Sequence, residues 1–143
     1  MDYTRQQDLV IMSKLLRVSV TLIGAGAIGS FTSLTLTKMG LKKLEVFDED
    51  GVVDHNLPNQ FYREKDINQF KVDALKNIIK DFCDVDITIN KKFYTKQKLN
   101  QVVIVATDSM SSRKLVWNQF KKQKQCKYYI EARMGAQMGI VYT

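Results

Sequence analysis

The residues with the clearest chemical potential begin at Gly24. Gly24-Ala25-Gly26-Ala27-Ile28-Gly29 fits the pattern G-x-G-x-x-G. The pattern alone is weak, but here it leaves an apolar β-branched run, Ser19–Ile23, and opens a helical period, as a phosphate-binding turn must. Each glycine has a separate reason: Gly24 for the tight turn, Gly26 for close approach of a phosphate, and Gly29 for packing of helix on strand. Free N–H groups at the start of the helix then face the anion. Asp48 follows nineteen residues after Gly29, where an acid at the end of the second strand would hold ribose hydroxyls. The bland alternative is a tight turn without a ligand. The set points to an adenine nucleotide and leaves dinucleotide, ATP and S-adenosylmethionine open.

A second group of polar residues follows. The loop Asp48-Glu49-Asp50-Gly51-Val52-Val53-Asp54-His55-Asn56-Leu57-Pro58-Asn59-Gln60 precedes Lys71, eleven residues beyond Gln60, and Thr107-Asp108-Ser109 ends a later apolar run with Arg113 one turn further on. By residue type alone these have plain readings. Lys71 is a solvated lysine in a first helical turn, Asp108 a helix cap, Asp50 and Asp54 loop acids, and His55 an exposed loop residue. Trp117 and Tyr128-Tyr129 read as core and strand residues.

Alternating short elements must position these groups. Strands are expected at Ser19–Ile23, Leu44–Phe47, Val85–Ile89, Val102–Ala106, Tyr128–Ala132 and Met138–Tyr142. A helix is expected from about Ala27 to Met39, with Gly40 as its stop and Ile28, Phe31 and Leu34 on its apolar side. Lys71–Phe82 carries apolar residues at 72, 75, 78, 79 and 82, the stripe of an amphipathic helix. Ser111–Lys124 is a third helix, with Ser111 or Ser112 as cap, and Asp48–Gln69 is a polar loop. The continuous apolar run 102–106 suits a strand covered on both faces. Strand–helix alternation predicts one α/β domain, Rossmann-like, with a mostly parallel sheet, helices on both faces and ligands beyond the C-terminal strand ends.

Composition agrees with one such domain. The chain has 143 residues, 45% hydrophobic and 26% charged, with a single proline. That excludes a collagen-like or low-complexity chain. Two cysteines, Cys83 and Cys126, make neither a disulfide framework nor a four-ligand zinc site. The start MDYTRQQDL is polar, and apolar runs stay below the ~20 residues that span a bilayer; no membrane partner and a cytoplasmic location are expected. The net charge of +7 is uneven: residues 91–127 hold ten Lys/Arg and one acid, while Glu45–Asp54 carries five acids and no base. A polyanion partner is one reading of that asymmetry. A solvated basic helix is the plainer one, and nucleic acid is not counted among the expected partners.

The ordered string of motifs resembles the ThiF/MoeB/HesA family of adenylyltransferases, relatives of ubiquitin-activating enzymes. The matching residues are Asp48, Asp50, Val52, Asn56, Leu57 and Gln60, then Asp66-Ile67 and Lys71, then Thr107-Asp108 and Arg113. Tyr3-Thr4-Arg5-Gln6 also looks like the family's opening Y-x-R-Q. The resemblance covers nearly the whole chain. It departs from the pattern at Asn59, where the family has Arg, at Asn68 for Gly, at Phe70 before the lysine and at Ser109 after Thr107-Asp108, and the Gln60–Lys71 gap is one residue short. Thr143 comes before the expected C-x-x-C pairs and thiol region, so neither Cys83 nor Cys126 is assigned a thioester role.

The resemblance implies one ATP-binding adenylation domain over residues 1–143, opened by a helical arm at 1–17. The implied reaction is attack of a carboxylate, typically the C-terminal Gly of a ubiquitin-like or sulfur-carrier protein, on the α-phosphorus of ATP with loss of pyrophosphate. Implied roles follow residue by residue. Gly24, Gly26, Gly29, Asp48, Asp50 and Lys71 hold the nucleotide, with Asp48 on the ribose. Lys71 is a point charge on the phosphates, Asn56 and Asn59 donate amide N–H to phosphate, and Asp108 holds Mg²⁺ through hard oxygens. Arg5 reaches a neighbouring subunit's site in a homodimer. Asn59 lacks the bidentate cationic fork of arginine, and Arg63 is the nearest substitute. Two other readings remain: a non-catalytic nucleotide- or partner-binding member, and an NAD(P)- or FAD-binding domain, which leaves Lys71, Asn56 and Asp108 without a task.

Overall fold

The structure, a computed structural model, describes residues 1–143. Six strands form one sheet in the order β3-β2-β1-β4-β5-β6: β1 Ser19–Ile23, β2 Lys43–Phe47, β3 Thr88–Asn90, β4 Val102–Val105, β5 Tyr128–Gly135 and β6 Met138–Tyr142. All neighbours are parallel except β5 and β6. The helices are α1 Met12–Leu15, α2 Ala27–Met39, α3 Lys71–Cys83 and α4 Met110–Lys122.

Side-chain alternation along the strands sends residues to two faces. Val20 and Leu22 of β1 join Leu44, Val46 and Ile104 beneath Leu34 of α2 and Val72, Leu75, Ile78 and Ile79 of α3. Ile23, Val103 and Val105 point the other way, with Phe47, Tyr94 and Leu99, against Val116 of α4. The α/β architecture with a mostly parallel sheet and helices on both faces is therefore as the sequence indicates.

Several boundaries differ. The ladder expected at Val85–Ile89 forms only at Thr88–Asn90. Asp84 ends α3 in a left-handed conformation, and Val85 and Ile87 bury their side chains before the backbone reaches β2. β5 runs three residues past Ala132 because β6 pairs with it through a two-residue turn, Ala136-Gln137. The loop Asp48–Gln69 carries two 3₁₀ turns, Asp54–Asn56 and Glu64–Asp66. The cap of α4 is Ser109, whose hydroxyl accepts from Ser112 N, rather than Ser111 or Ser112. Phe31 is half exposed and packs edge-on against Phe61. Tyr128 is in β5, as expected of a strand residue, but is 62% exposed, and Trp117 is partly exposed with its ring packed against Phe120 and Tyr129.

Within residues 1–17, helix is confined to a 3₁₀ turn at Thr4–Gln6 and to α1. Gln6 Nε2 donates to Met39 O at 2.6 Å, tying this segment to the end of α2. No helix is long and apolar enough to cross a membrane.

Candidate nucleotide-binding site

The C-terminal ends of β1, β2 and β4 open into a cleft of about 260 Å³. Its floor is the glycine turn. Gly24 adopts φ +97°, and a Cβ there would meet Ala106 O at 2.6 Å, so the turn closes directly on the end of β4. A Cβ on Gly29 would lie 1.9 Å from Gly24 O, so Gly29 seats α2 beneath the turn. A Cβ on Gly26 meets nothing within 4 Å. Nothing in the chain itself fills the space before Gly26, and the first-turn N–H groups of α2 lack intrahelical partners.

The turn is clamped from two loops. Ala25 N donates to Asp48 Oδ2 at 2.6 Å, and Tyr62 Oη donates to Ala25 O at 2.6 Å. Asp48 Oδ1 also accepts from Asp50 N at 2.9 Å. Burial pushes the Asp48 carboxyl above its ordinary value, against the lowering effect of those two backbone donors. Burial likewise drives the Tyr62 phenol far above its usual range, helped by the Asp48 charge. Each Asp48 oxygen keeps capacity for a further donor.

Lys71 is the first residue of α3. Its side chain is 9% exposed, and its ammonium lies 2.9 Å from Asp50 Oδ2, on a side chain that is 60% exposed. Lys71 N also donates to Asp50 O at 2.9 Å. Asp108, just beyond β4, is exposed at the cleft and makes no ion pair. Gly24, Gly26, Asp48, Asp50, Lys71 and Asp108 thus line one cleft, together with Glu49, Phe93 and Arg113. Burial raises the Glu49 carboxyl too.

Other expected residues lie elsewhere. Gly29 packs under the turn rather than lining the cleft. Asn56 is buried, and its Oδ1 accepts from Val53 N at 3.1 Å, closing a local turn. Asn59 is exposed beside it and Arg5 is exposed on the first 3₁₀ turn; neither lines the cleft. Arg63 cannot stand in for an arginine at position 59. Its guanidinium is held by both oxygens of Asp66, at 2.9 and 3.0 Å, and by Asp81 at 3.0 Å. Burial acts to raise the Asp66 carboxyl, but the Arg63 donors outweigh it and hold it below the usual range.

Two residues gain a place that their sequence context did not assign. Gln60 lines the cleft, and its Oε1 is buried without a hydrogen-bond partner. It was visible as a motif position, but no signal announced the orphaned atom. Arg113 is buried, donates twice to Ala132 O at 3.1 Å and pairs with Glu131 at 3.2 Å. Burial pulls the Glu131 carboxyl upward, yet Tyr129, Arg133 and Arg113 together leave it below its ordinary value.

The cleft's charges are Asp48, Glu49, Asp50 and Asp108 against Lys71 and Arg113, so 2 − 4 = −2. A polyphosphate entering such a site needs an added cation. No group of three or more His, Cys, Asp or Glu could hold a metal alone. Asp108 fits Mg²⁺, which takes one or two carboxylates, several waters and the substrate's own phosphates.

A model of the ThiF family matches residues 4–143. The SUMO-activating enzyme subunit uba-2 of Caenorhabditis elegans is 27% identical over 124 residues, covering 80% of this chain and 20% of that protein. Among solved structures, the E. coli tRNA N6-threonylcarbamoyladenosine dehydratase TcdA superposes with a TM-score of 0.84 at 17% identity, over 95% of this chain and 62% of that one. E. coli MccB with ATP gives 0.78 at 19% identity, over 92% and 44%. The chain spans about a fifth of the length of the curated relatives it matches.

Proposed function

The chain belongs to the ThiF family, and from that membership we propose that it binds ATP and activates a carboxylate as an acyl-adenylate. The observation that carries this reading is the gathering of Gly24, Gly26, Asp48, Lys71 and Asp108 in one cleft. A dinucleotide oxidoreductase would use the glycines and Asp48 and leave Lys71 and Asp108 idle.

In the proposed reaction, a carboxylate oxygen forms a bond to the α-phosphorus of ATP while the bond to the β-phosphate bridging oxygen breaks. Pyrophosphate leaves with that electron pair. The first-turn amides of α2 and the Lys71 ammonium meet negative charge as it spreads over the phosphate oxygens, where fixed donors are worth most. Asp48 orients the ribose from its amide-locked position. Gln60 donates through Nε2, which makes no hydrogen bond within the chain. Asp108 would hold Mg²⁺, whose charge offsets the acidic lining and withdraws electrons from the phosphates.

The substrate proposed is the C-terminal glycine of a ubiquitin-like or sulfur-carrier protein. The relatives support this: uba-2 is described as a SUMO-activating enzyme subunit, and MccB has been solved with ATP and with MccA. A homodimer goes with the reading, since Arg5 sits exposed, outside its own cleft and free to reach a partner's. A cytoplasmic setting supplies the ATP. The test is ATP–pyrophosphate exchange with candidate carrier proteins. Exchange that needs both the carrier's terminal glycine and Lys71 supports the proposal. Wild-type exchange no higher than that of a Lys71→Ala variant overturns catalysis.

One observation favours a second reading, a member that binds nucleotide without transferring it. No guanidinium replaces the one missing at Asn59, because Arg63 is committed to Asp66 and Asp81. ATP binding without exchange is its signature.

A further inference from the structure

The cleft holds two cations, on opposite sides of the glycine turn. Lys71 opens α3 and is paired with Asp50, just beyond β2. Arg113 belongs to α4, one turn past Asp108, and lies against β5. In the sheet order β2-β1-β4-β5, the turn that follows β1 falls between them. Nucleotide binding gives Lys71 a task and leaves Arg113 without one.

Arg113 is 7% exposed yet lines the cleft. A guanidinium carries its N–H donors in a rigid fork. Both terminal nitrogens of Arg113 donate to Ala132 O, and Nη1 also faces Glu131. The end and the Nη1 edge of the group are thus turned to β5. The edge left over, Nε–H with the second hydrogen of Nη2, makes no hydrogen bond within the chain. Gln60 Oε1 is the only sealed side-chain polar atom without a partner, so this edge is reached by water, and the cleft is the opening that Arg113 lines. Two parallel N–H donors of this kind take both oxygens of a carboxylate. Glu131 does not cancel the charge, because it is shared with Arg133, whose Nε donates to it at 2.6 Å. Two guanidiniums face one carboxylate, and one positive charge remains.

We propose that the Nε–Nη2 edge of Arg113 receives the carboxylate that attacks the α-phosphorus, the second substrate of the adenylation reading on which this inference rests. In a displacement at phosphorus the attacking and leaving oxygens lie roughly in line. With pyrophosphate on the Lys71 side, the attacking oxygen comes from the Arg113 side. That carboxylate enters a cleft lined by Asp48, Glu49, Asp50 and Asp108, and Arg113 is the cation on its path. Each carboxylate oxygen held by the fork keeps a lone pair, so one of them forms the bond to phosphorus as the bridging bond breaks and pyrophosphate leaves. Arg113 gives up no proton in this step. It fixes the direction of attack and offsets the repulsion between the carboxylate and the phosphates.

The test is proton–nitrogen NMR of the Arg113 Nε–H signal in the whole chain, loaded with Mg²⁺ and α,β-methylene ATP and titrated with acetyl-Gly-Gly. The signal is identified by its loss in Arg113→Lys, or from its own backbone correlations if that variant does not fold. The expected result is a downfield shift that saturates with acetyl-Gly-Gly and is absent with the same dipeptide as its C-terminal amide. Arg113→Lys keeps the charge and loses the fork, so it should bind acetyl-Gly-Gly about tenfold more weakly with nucleotide affinity unchanged by calorimetry. A signal that moves on adding the nucleotide and then ignores the peptide overturns the proposal and gives the fork to a phosphate. A signal that moves with neither also overturns it, while nucleotide binding stands. A chain that binds no nucleotide removes the adenylation reading and this inference with it.

Discussion

Lys71 and Asp50 are joined twice: the Lys71 ammonium lies 2.9 Å from Asp50 Oδ2, and Lys71 N donates to Asp50 O at 2.9 Å. The lysine that would serve the phosphates is therefore already held by a carboxylate at the cleft's edge, anchored through the backbone of the same residue. The ion pair competes with the nucleotide for the ammonium. The backbone bond fixes where that ammonium starts from.

Asp50→Asn should therefore tighten ATP binding by up to about fivefold, the value of a part-exposed ion pair, as read by titration calorimetry. Weaker binding would mean that Asp50 itself serves the nucleotide. Lys71→Ala should lower exchange by about 10²–10³ while leaving the thermal unfolding midpoint little changed.

The three glycines should separate by what each protects. Gly29→Ala drives a methyl into Gly24 O and should cost about 3 kcal/mol or more of stability, seen in urea unfolding. Gly26→Ala meets no chain atom and should fold normally yet lose nucleotide affinity. Equal nucleotide affinity for Gly26→Ala and wild type would remove the phosphate from this turn.

Arg63 should matter to the fold and not to the nucleotide. Asp66 is 2% exposed against the guanidinium, and its carboxyl sits below the unfolded value. The native state thus binds the proton less readily than the unfolded chain. This contribution is fully present above the unfolded carboxylate pKa and is lost as pH falls through the lower native one. Asp48, raised by burial, acts with the opposite sign and favours the fold more at acid pH. Asp66→Asn should cost about 1–3 kcal/mol at neutral pH and flatten the acid limb of a stability–pH curve. Arg63→Gln should leave ATP affinity unchanged.

Asn59→Arg tests the missing cation directly. A guanidinium there should raise exchange by about 10²–10³ if it meets transition-state charge. Unchanged exchange at background would favour the binding-only reading.

Much of this was legible in the residues. The strand–turn–helix around Gly24, the acid at Asp48 and the amphipathic stripe of α3 are local signals, and tertiary structure left them intact except at Phe82, which ends the stripe half exposed while Cys83 is buried. Lys71 and Asp108 were legible only through their place in an ordered string, since each alone reads as a helix-end residue. What the sequence hid depends on partners distant along the chain. β3 is short because its register is fixed by β2. Arg63 is held first by Asp66, three residues on, and its second partner, Asp81 on α3, is the distant one, while the orphaned oxygen of Gln60 exists only once the turn at residues 54–62 has folded against α2.

Ala25 is gripped at its N–H by Asp48 and at its C=O by Tyr62, so the cradle is rigid before any anion arrives. Little of a ligand's interaction free energy then goes into ordering the loop. Preorganisation of this kind would show as slow amide exchange at Ala25 in the free protein, hardly slower once nucleotide is added.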